Sequence, residues 1–110
     1  MKYLITESQL DRMINKYLDN QDFIPIEKGN KIYFANSEGD EYAQIRYDED
    51  DGFCYIHYKL VDEISSFFSL EESYSEQVIG MWVENTIQMR VTRTLLWVHW
   101  LGALLRIPSK

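Results

Sequence analysis

A chain of 110 residues that is 45% hydrophobic, 26% charged and 15% aromatic has the balance of one globular domain, which excludes a disordered or low-complexity protein. Its single cysteine, Cys54, excludes an intramolecular disulfide and a cysteine-rich zinc site. The net charge of −7 is concentrated in residues 1–72, with 7 Lys/Arg against 16 Asp/Glu, so a generic phosphate-binding surface built from clustered cations is not expected.

The first element is heavily signposted. In "LITESQLDRMINKYLDN", Thr6 is placed as N-cap and Gln9 as its partner in a capping box, with Ile5 and Leu10 as the hydrophobic staple. Leu10, Met13, Ile14, Tyr17 and Leu18 follow the i, i+3, i+4, i+7, i+8 spacing of one buried helix face. Asn20 is read as its stop. The start "MKYLITESQ" has no apolar stretch of signal-peptide length behind its lysine, and a cytoplasmic protein is expected.

Residues 22–60 change to a period of two, and turn signals fall at Gly29-Asn30, Glu38-Gly39 and Asp51-Gly52. Three to four antiparallel strands are expected, near 22–28, 31–36, 41–47 and 53–60. Pro25 has no N–H to give a ladder, so the first strand is an edge or irregular. "LVDEISSFFSL" then returns to helical spacing, and Ser69-x-x-Glu72 and Ser73-x-x-Glu76 are two possible capping boxes for a further helix. That helix is predicted to run to about Ile107, ahead of Pro108. The expected fold is therefore a single α+β domain over residues 1–110. An N-terminal helix leads into a three- to four-stranded antiparallel meander, then a short helix and a long C-terminal helix packed on the sheet.

Motifs that carry chemistry are scarce. The acidic turn "YDEDDGF" fails as a calcium loop, because aligning Gly52 with the obligatory glycine puts Tyr47 and Tyr58 where carboxylates belong. Cys54 and His57 lie an odd number apart on a strand and so face opposite ways. His99 has no acidic or thiol partner one helical turn away. Tyr33, Tyr42, Tyr47, Tyr55 and Tyr58, with Phe34 and Phe53, make an aromatic sheet that could stack bases, but too few cations accompany them. No catalytic residue, cofactor or metal is assigned.

On a helical wheel the predicted last helix has a narrow polar strip (Gln77, Glu84, Gln88, Thr92, His99, Arg106), and its last three turns are apolar nearly all round. The uncharged run "TLLWVHWLGALL" is 12 residues long, short of the roughly 20 that cross a bilayer. A domain this small could not cover such a helix alone. Self-association, most simply as a homodimer, is expected through Trp97, Trp100, Leu101, Leu104 and Leu105. The leading expectation is a small non-enzymatic interaction or structural protein, with neither nucleic acid nor membrane as partner. One alternative is a ligand or enzyme site between sheet and helix near His99 or His57. Another is an acidic decoy for a basic or DNA-binding protein.

The opening "MKYLITESQLDRMINKYLD" resembles the starts of small uncharacterised proteins of marine tailed phages and ocean metagenomes. The resemblance covers about one-sixth of the chain. It implies a viral or virus-like origin and a native N-terminus, and it carries no functional residue.

Overall fold

The computed structural model describes residues 7–37, 39–97 and 105–108. Its elements are α1 (Glu7–Asp19), β1 (Ile24–Lys28), β2 (Lys31–Ala35), β3 (Ile45–Asp48), β4 (Phe53–His57), α2 (Tyr58–Phe68), α3 (Glu72–Ile87) and β5 (Arg93–Trp97). The class is α+β. The five strands lie in the order β1-β2-β3-β4-β5.

The spacing read in α1 turns Ile14 and Leu18 fully into the core, with Leu10 and Tyr17 packed against it. Met13, counted in the same stripe, is instead 48% exposed, so the buried face is narrower than the spacing suggested. Thr6 and Ile5, the expected cap and staple, lie outside the described residues.

Strands β1 to β4 form the expected antiparallel meander. Gly29 and Gly52 take positive φ, 64° and 74°, in the β1–β2 and β3–β4 turns, where glycine meets no steric penalty. The acidic stretch is a hairpin turn: the Asp51 carboxylate accepts the Phe53 N–H at 2.9 Å, and Asp50 accepts from the Asn30 amide. In the loop before β3, Asp40 accepts from the backbone N–H groups of Asn36 and Ser37 and from the Ser37 hydroxyl. The Ser37 hydroxyl and these amides hold its carboxyl below the usual range.

The C-terminal half departs from expectation. Neither predicted capping box opens α3. Ser69 is the left-handed C-cap of α2, and α3 begins behind Glu71 without a side-chain cap. Nor does α3 continue to Ile107: it ends at Ile87, where Gln88 turns left-handed (φ 59°) and donates its N–H to the Glu84 carbonyl. Beyond lies "VTRT", whose β-branched residues favour an extended chain. Residues 93–97 form β5, which pairs with β4 in parallel. The sheet is therefore mixed and five-stranded, not a purely antiparallel set of three or four. The α2–α3 pair is the long connection that two parallel neighbours require.

All three helices serve one face of this sheet. Ile32, Phe34, Ile45, Tyr47, Cys54 and Ile56 point to them, against Val61, Ile64, Val78, Ile79, Trp82 and Val83. Burial of each large aliphatic side chain here is worth about 1.5–3 kcal/mol. Helices α1 and α3 run side by side, held by two bonds eight residues apart on each. Tyr74 donates its hydroxyl to Asp11 at 2.6 Å, and Trp82 its indole N–H to Asp19 at 2.8 Å. The opposite sheet face carries Tyr33, Arg46, Asp48, Tyr55 and Leu95. There Arg46 pairs bidentately with Asp48 (2.7 and 2.9 Å) and lies 5.3 Å over the Tyr55 ring.

Candidate functional site

The residues singled out by sequence do not converge. His57 ends β4 on the face away from the helix core, and its Nδ1 accepts the Lys59 N–H as N-cap of α2. It is thus a capping residue stacked on Tyr58, not part of a cleft between sheet and helices. Cys54 faces the helices, fully buried, and burial raises its thiol to about 12, which removes it as a nucleophile at neutral pH. His99 lies outside the described residues. Tyr33, Phe34 and Tyr47 are 2%, 1% and 3% exposed, so these three are packed rather than open for stacking, whereas Phe53, Tyr55 and Tyr58 are half-buried and Tyr42 is exposed. Among the described residues, no group of three His, Cys, Asp or Glu could hold a metal ion. No helix among them is long and apolar enough to cross a membrane.

What the fold does assemble is a sheet with two outer strands that, among the described residues, each pair on one side only. Strands β1 and β5 are the two outer strands, and they differ in kind. Strand β1, "IPIEK", carries Pro25, an exposed Glu27 and Lys28, the features that discourage pairing with another chain. Strand β5, "RTLLW", carries one charge at its start and then Leu95, Leu96 and Trp97, all half-buried. Among the described residues, no backbone group outside the β4 ladder bonds to it. The Trp97 indole N–H is buried and unpartnered among them.

The neighbouring structure fixes this edge in place. Tyr47 donates its hydroxyl to the Arg90 carbonyl at 2.7 Å. Thr92 donates its N–H to the Gly52 carbonyl and its hydroxyl to the Asp51 carbonyl, at 2.8 and 2.6 Å. Helix α3 closes down on β5 through Gly80, whose Cα side meets Thr94. Between the two lies a groove of about 270 Å³ lined by Gln77, Met81 and Glu84 of α3 and by residues 91–94. Met81 is 46% exposed. An edge strand beside a helix is the arrangement that accepts an added strand: backbone groups supply the bonds and the flanking groove supplies selectivity.

Of the five residues expected at an interface, Trp97 lies in this strand. Leu105 is 1% exposed, and its carbonyl accepts the Ala43 N–H, so it is used within the chain. Trp100, Leu101 and Leu104 lie outside the described residues. The edge itself was missed in the sequence. The available signal was the β-branched "VTRT" ahead of the apolar run. No family model, curated protein or solved structure matches the chain.

Proposed function

We propose that this is a non-enzymatic interaction protein that self-associates by strand addition at β5. The observation that supports the reading most is the contrast between its edges: β1 is guarded by Pro25, Glu27 and Lys28, whereas β5 presents Leu95, Leu96 and Trp97, with no backbone partner beyond β4 among the described residues. The apolar run continues through Trp100, Leu101 and Leu104, which stay within the proposed contact.

Size-exclusion chromatography with light scattering at micromolar concentration tests the reading, and a dimer is expected. Leu95→Lys places a charge in the open edge and should give a monomer that still melts cooperatively. A wild-type monomer across that range rejects the proposal.

A further inference from the structure

We propose that His57 is an acid-sensitive latch on the start of α2: the neutral imidazole holds the first helical turn, and protonation of the ring releases it. The proposal stands on the β4–α2 junction and is independent of self-association at β5.

The first N–H groups of a helix have no partner within it. In α2 the Lys59 N–H donates to the His57 Nδ1 at 3.1 Å, from a residue held in extended backbone (φ −64°, ψ 135°). Serine, threonine, asparagine and aspartate are the usual residues at this position, and their oxygens remain acceptors throughout the neutral range. An imidazole does not. Below the ordinary histidine value of about 6.5, Nδ1 carries a proton and cannot accept. The cation then also faces the positive end of the helix dipole. The folded chain resists a proton that the unfolded chain takes up, so stability falls as the solution is acidified.

The charged groups around the ring favour the same outcome. The first turn of α2 holds Lys59 and no acidic residue, and Tyr58 stacks on the imidazole with centroids 5.1 Å apart. On the sheet face that carries His57, β4 adds Tyr55 and β3 adds Arg46 and Asp48. The Asp48 carboxylate is engaged by the Arg46 guanidinium at 2.7 and 2.9 Å. Strand β5 sets Trp97 opposite His57, and neither β5 nor the 98–104 sequence after it contains a carboxylate. The His57 N–H donates to the Gln44 carbonyl at 2.8 Å, and Leu60, Val61 and Ile64 are buried. Protonation of the ring leaves those contacts in place, so α2 loosens at its start and stays in the core.

Amide hydrogen exchange of the full chain, read by NMR, tests this. Between about pH 7.5 and pH 5.5 the protection factor of the Lys59 amide should fall roughly 5–30-fold, as loss of an N-cap implies. His57→Asn keeps an acceptor that does not titrate and should hold its protection over that interval. His99→Gln should respond as the wild type does. Unchanged protection in the wild type, an equal fall in His57→Asn, or a response lost with His99→Gln overturns the proposal. Nitrogen chemical shifts of the wild-type imidazole need no variant. Nδ1 should be unprotonated at pH 7.5 and gain its proton as Lys59 loses protection; a protonated Nδ1 at pH 7.5 overturns the latch equally.

Discussion

A Cβ built on Gly80 would stand 2.4 Å from the Thr94 Cγ2 atom. Real Cβ atoms do not approach that closely, so α3 sits against β5 at the distance it does only because residue 80 has no side chain. This contact joins the crossover helix to the parallel strand it delivers, and it sets the height of α3 over β5.

Gly80→Ala should therefore destabilise the protein by about 1–3 kcal/mol through overpacking, even though alanine is the better helix former by about 1 kcal/mol. Thr94→Ser removes the methyl group in the way. The double variant should recover much of the loss, and a double-mutant cycle in urea measures the coupling. Equal losses with and without Thr94→Ser would show that the contact is not the cause.

The Trp82–Asp19 bond makes a second prediction. Asp19→Ala leaves the buried indole N–H without its acceptor and should cost about 1–3 kcal/mol. Asp19→Asn keeps an acceptor oxygen and should cost less. Tyr74→Phe, which removes the bond to Asp11, belongs at the lower end of the range, near 0.5–1.5 kcal/mol. Urea midpoints with an unchanged slope rank the three; an Asp19→Ala midpoint equal to that of Asp19→Asn would contradict the acceptor role.

Gly52 carries two constraints at once. Its φ is 74°, and an added Cβ would lie 2.9 Å from the Thr92 side chain and 3.1 Å from the Arg90 carbonyl. Gly52→Ala should lower stability by more than the roughly 1 kcal/mol typical of a left-handed position alone. Gly29, also left-handed but open within 4 Å, should show only the smaller effect when replaced by alanine. Thermal melts of the two variants make the comparison directly, and equal losses would contradict the crowding at Gly52.

Alkaline pH should weaken the fold. Burial raises the Cys54 thiol from 9.0 to about 12. Between those values the unfolded chain has released this proton and the folded chain still holds it, so stability falls as pH rises. The slope is at most about 1.4 kcal/mol per pH unit for this one group. The buried hydroxyls of Tyr33 and Tyr47 are raised for the same reason and act in the same direction above their ordinary value of 10.0. Urea titrations at pH 7, 9 and 10.5 should give falling midpoints, and Cys54→Ala should show a shallower decline from a lower start. A thiol reagent at pH 8 should react with Cys54 only in denaturant; rapid labelling of the folded protein would contradict the buried, neutral thiol.

Much of the framework was legible because it is local. The 3.6-residue spacing in α1 singled out Ile14 and Leu18, and the period of two with glycine turns marked the meander. Pro25 placed its strand at an edge because a missing N–H acts wherever the chain goes. Met13 was misread because spacing locates a face but not how wide a neighbour covers it.

The C-terminal third was not legible in the same way. "TLLWVHWLGALL" is apolar at every spacing, so neither a period of 3.6 nor one of 2 stands out, and a short apolar run suits a buried strand as well as a buried helix. What decides for β5 is pairing with β4, some 40 residues earlier in the chain. Ser69 and Glu72 met the spacing of a cap, yet the turn between α2 and α3 needed a left-handed residue at 69. The sequence by itself determined the core positions of α1 and the alternation of the meander strands, the acidic front and the lack of a local catalytic motif, since these follow from side chains a few positions apart. Only the tertiary structure decided that residues 93–97, at the head of the apolar tract, enter the sheet as a parallel outer strand, because that outcome rests on hydrogen bonds and packing between residues far apart in the chain.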